Sequence, residues 1–220
     1  MLQTSESTEQ PSGEPLPAAQ PAAAPAASGS APCPLCGAGG ERMFSRHGYG
    51  INRCSACSHH YAEVEPDRDH VARHYGDEYF FGGGAGFPDY NLEAEPLREH
   101  GRHYARLIAK HRRSGRVLDV GAAAGFLLEG FLEQGWTGAA IEPNQTMATQ
   151  LTRRLGCPVH TGALETFAAE APFDLVLMIQ VIPHFVDMGA ALQAAAAATA
   201  PDGMWLIETW DRGSTTARIF

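Results

Sequence analysis

The sequence predicts an α/β protein, a doubly wound parallel sheet of about five strands with a small metal-organised module ahead of it. Three observations point there. From Gly115 onwards, apolar runs of strand length alternate with helical stretches. The first run, Val117-Leu118-Asp119-Val120, enters a glycine-bounded turn from Gly121 to Gly125, and the next ends in a carboxylate at Glu142. Near the start, four of the five cysteines fall in two C-x-x-C pairs.

Residues 1–31 read as a disordered tail. This stretch is dominated by Ala, Pro, Ser, Gln and Glu, with no aromatic residue and two leucines. Too little apolar surface is available there to offset ordering entropy. The tail also lacks the basic start and apolar stretch of a signal peptide. No run of about eighteen apolar residues occurs, so no membrane span is expected and the protein is read as soluble and cytoplasmic.

The net charge of −9 disfavours a general nucleic-acid binder, since phosphate contacts need clustered cations. Arg98, Arg102, Arg106, Lys110, Arg112 and Arg113 form a local exception. They read first as a solvated helix face and second as a patch for an anionic substrate or carrier.

Residues 32–62 read as a zinc ribbon. Cys33 and Cys36 form one knuckle, Cys54 and Cys57 the other, with seventeen residues between them. Four thiolates at this spacing converge tetrahedrally on one Zn2+, closing its coordination sphere and making it structural. The intervening Phe44, Tyr49 and Ile51 suggest a hairpin too small to fold without the metal. Two disulfides are the competing arrangement and require an oxidising compartment. His59 and His60 are the alternative ligands, and Cys157 reads as a small buried apolar residue.

Residues 63–113 read as linker, lid and basic helix. His74-Tyr75-Gly76-Asp77-Glu78-Tyr79-Phe80-Phe81 precedes a glycine run at 82–86. Aromatics beside such a run suit a movable cover, or an anchor that ties the linker to the core. A helix is predicted over 97–111 from the spacing of Leu97, Tyr104, Leu107 and Ile108.

In the remaining chain, 114–220, strands are predicted at 116–120, 138–142, 158–161, 173–180 and 204–209. Helices are predicted at 126–134, 147–155 and 188–199, the last stopped by Pro201-Asp202-Gly203. The run from Phe173 is apolar throughout, as a strand buried on both faces must be.

The turn after the first strand departs from the dinucleotide pattern G-x-G-x-x-G, with alanines where a pyrophosphate needs glycine. Asp119 beside it would repel phosphate and attract an ammonium. A cofactor with an amino-acid end and no phosphates suits this site. Glu142, twenty-three residues on, is placed to accept from two ribose hydroxyls. Helix capping by Asp119 and a solvated strand end at Glu142 are the plainer alternatives.

Together with the cysteine pairs, these motifs resemble a class I S-adenosylmethionine-dependent methyltransferase, with a Rossmann-like sheet and an N-terminal zinc ribbon. The resemblance covers about Cys33 to Phe220. It rests on Leu118 to Gly125, Ile141-Glu142-Pro143-Asn144, Gly162 to Glu165, Phe173 to Val176, Val181-Ile182-Pro183-His184-Phe185 and Ala200 to Thr209. It implies that Gly121, Ala122, Gly125 and Gln180 attend the methionine moiety, with Asp119 near its amino group. Glu142 would bind the ribose hydroxyls, Pro143 would belong to the same cofactor-binding set, Asn144 or Gln145 would flank the adenine, and Ala163 and Leu164 would contact its ring. His184 would reach the substrate.

Three departures stand out. Ala122-Ala123-Ala124 removes a hydroxyl from the loop, and Ala163 replaces a frequent Asp, leaving adenine recognition to backbone groups. The family sheet has seven strands, whereas this chain stops soon after the fifth. The expectation is therefore a truncated sheet whose fifth strand offers an apolar edge for self-association.

Methyl transfer needs two reactants aligned and water excluded. The expected acceptor is a small molecule, methylated at oxygen or carbon of a sugar or secondary metabolite, with His184 as base and Tyr75 and Tyr79 on the substrate side. The rival is a weakly active or inactive scaffold whose ribbon binds a protein or nucleic acid. A nicotinamide-dependent oxidoreductase is disfavoured by the missing glycine pattern.

Overall fold

The computed structural model describes residues 31–46, 48–64, 75–82, 86–211 and 213–215. The expected tail up to residue 30, His74, Gly83 to Ala85 and the last five residues lie outside that set. The chain divides into two compact units, Met1–Val64 and Glu65–Phe220.

In the first unit, β1 (Gly40–Arg46), β2 (Tyr49–Cys54) and β3 (His60–Ala62) form an antiparallel sheet in that order. Each knuckle is a tight turn. The Gly37 amide donates to the Cys33 carbonyl at 2.8 Å, and the Ser58 amide to the Cys54 carbonyl at 3.1 Å. The expected hairpin is present, but Phe44 and Tyr49 stay exposed and the buried apolar residues are Cys33, Cys54 and Tyr61.

The second unit holds β4 (Arg116–Val120), β5 (Thr137–Glu142), β6 (Val159–Thr161), β7 (Phe173–Ile179) and β8 (Thr199–Glu208). Their order is β6-β5-β4-β7-β8, all parallel. The order reverses between β4 and β7, and such a switch point opens a crevice at the carboxyl ends of the strands. The helices are α1 (Asp77–Phe81), α2 (Ala94–Ile108), α3 (Phe126–Leu132), α4 (Gln145–Leu155) and α5 (Met188–Ala198).

Strand alternation divides the core into two layers. Val117, Ala140, Leu175 and Leu177 pack with Ala105 of α2, Leu128 and Phe131 of α3, and Leu151 of α4. Leu118, Val120, Ile141, Val176 and Met178 pack with Ala191, Ala195 and Ala198 of α5. Helices α2 and α3 approach at two glycines: a Cβ on Gly101 would strike the Leu127 carbonyl, and one on Gly130 the Arg98 carbonyl.

The sequence boundaries shift where local chemistry competes. Helix α2 starts at Ala94, not Leu97, because Pro96 falls in the first turn, where its missing N–H costs nothing. It ends at Ile108 and continues only as turns towards Gly115. Helix α3 stops at Leu132, short of Gln134. Helix α4 starts at Gln145 because the Asn144 side chain accepts from the Met147 amide at 2.9 Å, an N-cap. Pro201-Asp202-Gly203 is a bulge inside β8, opposite Phe173–Leu175, so the strand starts at Thr199. An edge strand tolerates proline. Among the described residues no strand pairs with the outer edge of β8, where Trp205 and Ile207 are exposed.

Arginines of the basic helix are neutralised in place. Arg98 pairs with Glu95 and Glu129, Arg102 with Glu95, Glu99 and Glu133, and Arg106 with Glu99. Arg112 reaches Asp174 at 2.8 Å and Asp202 at 2.6 Å. The solvated face is thus the better description of this helix, and these four arginines form no patch for an anion. No helix among the described residues is long and apolar enough to cross a membrane.

Candidate functional site

A cavity of about 1250 Å³ opens over the carboxyl ends of β4, β5 and β7. Nine of the ten residues expected at the cofactor line it: Asp119, Gly121, Ala122, Glu142, Pro143, Asn144, Ala163, Leu164 and Gln180. Gly125 does not. It sits at the start of α3 with φ +75°, and an added Cβ would press on Leu151, so its contribution is to packing.

Asp119 is the least satisfied polar group of the wall. It is 3% exposed, and its Oδ2 has no hydrogen-bond partner. Burial, followed by the neighbouring charge of Glu142, pushes its carboxyl up to about 7. The capping alternative fails, since the residue before α3 is Gly125 with no side-chain cap.

Glu142, also 3% exposed, is tied into the backbone. Its Oε2 accepts from the Ala123 amide and its Oε1 from the Asn144 amide, each at 2.7 Å. Burial raises its carboxyl, and these two N–H groups offset only part of the rise. The triple-alanine loop therefore closes through a carboxylate from the next strand, with Ala123 itself at φ +47°. Gly121, at φ +71°, lets Val181 come close, because a Cβ there would lie 2.5 Å from its Cγ1.

The segment after Gly76 crosses the cavity and is held at its rim. Asn144 Nδ2 donates to the Tyr75 carbonyl and to Asp77 Oδ1, each at 3.0 Å, and the Thr146 hydroxyl donates to Asp77 Oδ2 at 2.9 Å. Phe80 is buried against Ala123, Phe126 and Met147, and it lines the cavity together with Tyr75 and Tyr79. The Tyr75 hydroxyl hydrogen-bonds the His184 ring, 2.9 Å from Nδ1 and 3.2 Å from Nε2. His184 follows β7 in a short 3₁₀ turn, Ile182–His184.

Asp77, Phe87, Tyr90 and Trp210 also line the cavity and were not anticipated. Tyr90 lies in a 3₁₀ turn capped by Asp89. Its hydroxyl is raised by burial and by the charges of Asp119 and Glu142. An isolated aromatic before a helix carries no periodic signal. Asp77 and its partners Asn144 and Thr146 are far apart in sequence, so only the fold brings them together.

In the first unit the four sulfurs of Cys33, Cys36, Cys54 and Cys57 lie within 4.8 Å of one another, without disulfides. Three of the six edges are 3.7 Å for Cys33–Cys57, 3.4 Å for Cys36–Cys54 and 3.6 Å for Cys36–Cys57. A tetrahedron with Zn–S bonds of about 2.3 Å has edges of about 3.8 Å, so the cluster fits zinc. The Cys57 and Ala56 amides donate to the Cys54 sulfur at 3.4 Å each, and they hold that thiol down at about 6. Neither His59 nor His60 belongs to the cluster. Cys157 is half-buried against the core, and burial raises its thiol.

Comparison with known proteins gives a family match and partial relatives. The methyltransferase domain family matches residues 92–218. The ubiquinone biosynthesis O-methyltransferase of Bradyrhizobium diazoefficiens is 31% identical over 102 residues, covering 44% of this chain and 40% of the relative. That of Caulobacter sp. is 32% identical over 104 residues, covering 44% and 41%. The chain thus spans about 40% of the length of the curated relatives it matches. Among solved structures, DesVI from Streptomyces venezuelae is 25% identical, covering 52% of this chain and 51% of that one, with a TM-score of 0.47. CalS10, an amino pentose methyltransferase from Micromonospora echinaspora, is 28% identical with the same two coverages and a TM-score of 0.47.

Proposed function

Since the chain belongs to the methyltransferase domain family, we propose that it transfers a methyl group from S-adenosylmethionine to a small-molecule acceptor. The observation that carries this reading is Asp119, a buried carboxylate with an unpartnered oxygen beside a large cavity. Such a group calls for a cationic donor, which an amino-acid ammonium supplies and a pyrophosphate does not.

Glu142 fits the ribose end. Each of its oxygens receives one backbone N–H and keeps acceptor capacity for a hydroxyl. Pro143, Asn144, Gln145, Ala163 and Leu164 would surround the adenine, and Gly121, Ala122 and Gln180 the methionine part. When bound, the cofactor supplies an electrophilic sulfonium methyl. The chain's own task is then alignment and exclusion of water. Tyr75, Tyr79 and Phe80 contribute by covering the cavity, and the Asp77 contacts with Asn144 and Thr146 hold the cover.

His184 would take the proton of the acceptor, with the Tyr75 hydroxyl orienting its ring. The relatives' name, O-methyltransferase, supports a hydroxyl acceptor, and a carbon acid is the second choice. Cys33, Cys36, Cys54 and Cys57 would hold a structural zinc, and a reducing cytoplasm suits four free thiolates.

The test is release of S-adenosylhomocysteine from S-adenosylmethionine with a panel of phenolic and sugar acceptors. Acceptor-dependent release is expected. His184→Ala should lower turnover by about 10²-fold or more at unchanged cofactor affinity; full activity in that variant would remove the base from the scheme.

A further inference from the structure

Gln180, the residue just after β7, takes a conformation that a residue with a Cβ seldom adopts, φ +57°. It lines the cavity at the switch point, on the strand beside that of Asp119. Strain of this kind persists where surrounding contacts over-determine it, and such residues cluster at functional sites. Here the contacts come from one residue. The Gln180 amide donates to the Glu208 carbonyl at 2.8 Å, and Gln180 Nε2 donates to Glu208 Oε1 at 2.9 Å.

The second bond decides which way the side-chain amide faces. A carboxylate oxygen accepts, so it must meet the NH₂ end, and the carbonyl oxygen is left on the opposite side. The other carboxylate oxygen of Glu208 lies 3.9 Å from Nε2 of His100 on α2, and that ring stacks on Tyr104 with centroids 4.4 Å apart. Glu208, the last residue of β8, thus bridges Gln180 and His100 of α2, and it is not among the residues that line the cavity.

We propose that Glu208 is a positioning residue: it turns the Gln180 side-chain carbonyl into the cavity as an acceptor for the ammonium of an amino-acid-bearing cofactor. An ammonium has three N–H groups, and Asp119 Oδ2 supplies one buried acceptor already lacking a partner. The Gln180 carbonyl on the neighbouring strand supplies a second. This inference rests on the cofactor reading above.

The variant that tests it is Glu208→Gln, which keeps size and shape but presents either an oxygen or an NH₂ to Gln180, so the orientation is no longer dictated. Two ligands are compared by calorimetry on the full chain: S-adenosylhomocysteine, which carries the ammonium, and 5′-methylthioadenosine, which lacks the amino-acid end. The variant should bind the first about five- to tenfold more weakly and the second with unchanged affinity, at an unchanged melting temperature. In a Gln180→Ala background the same substitution should add nothing, because neighbours acting through one contact are non-additive.

Equal weakening of both ligands, an unchanged affinity for S-adenosylhomocysteine, or additive losses in the double variant would overturn the proposal. Failure of the unsubstituted protein to bind S-adenosylhomocysteine would instead overturn the cofactor reading, and this assignment with it.

Discussion

The ribbon buries three apolar side chains, Cys33, Cys54 and Tyr61, whereas the sheet unit buries one cluster of eleven residues on each face of its sheet. A unit with so small a core would need a bound metal to fold; one with two full layers depends on burial. The difference extends to function. In the ribbon the same four cysteines form the candidate metal site and close both turns of the fold, so on the proposed reading the two would be lost together. In the other unit the site is formed by strand ends above a core that stands without it, which lets Asp119 remain unpaired and poorly solvated.

Metal removal sharpens that comparison most. A strong chelator should unfold Cys33–Ala62 completely while circular dichroism of the sheet and helices persists. Unchanged protease resistance between the knuckles would refute a structural zinc. The converse experiment is Phe131→Ala, which empties a fully buried site between α3 and the sheet. It should cost about 3–5 kcal/mol in denaturant unfolding of the second unit and leave the zinc content of the ribbon unchanged.

Smaller effects are expected at the site itself. Glu142→Ala should weaken binding of S-adenosylhomocysteine by about 1–3 kcal/mol, partly by releasing the Ala123 and Asn144 amides. Unchanged affinity would remove Glu142 from the cofactor site. The pH dependence follows from Asp119, whose carboxyl titrates at about 7 in the open cavity. A proton must leave before the carboxylate can receive an ammonium, so affinity should rise with pH. Between pH 8 and pH 6 it should fall roughly tenfold, with Glu142 and Tyr90 as the neighbouring titratable groups. A flat profile, or one rising towards acid, would contradict this role.

Much of this was legible in the sequence because it depends on local spacing. The two knuckles identify their own ligand set, and the apolar runs at Val117, Ala139 and Phe173 mark central strands without help from tertiary contacts. Asp119 and Glu142 could be singled out because each lies at the carboxyl end of a recognisable strand. Three features were hidden for physical reasons. Pro201-Asp202-Gly203 has the composition of a turn but lies as a bulge in an edge strand, where a missing N–H is tolerated. The arginines from Arg98 to Arg106 read first as a solvated face, as they are, but their partners Glu129 and Glu133 lie on another helix and no spacing within the basic helix names them. The grip of Asp77 on Asn144 and Thr146, and of Glu208 on Gln180, joins residues distant in sequence, and no local pattern records such pairs.

In the proposed function the carboxyl end of this sheet receives an S-adenosyl cofactor through Asp119 and Glu142. Calorimetric titration of the purified chain with S-adenosylhomocysteine, with NAD as the control ligand, tests it directly. Micromolar binding of S-adenosylhomocysteine alone is the predicted result. Binding of NAD in its place, or of neither ligand, would contradict the account.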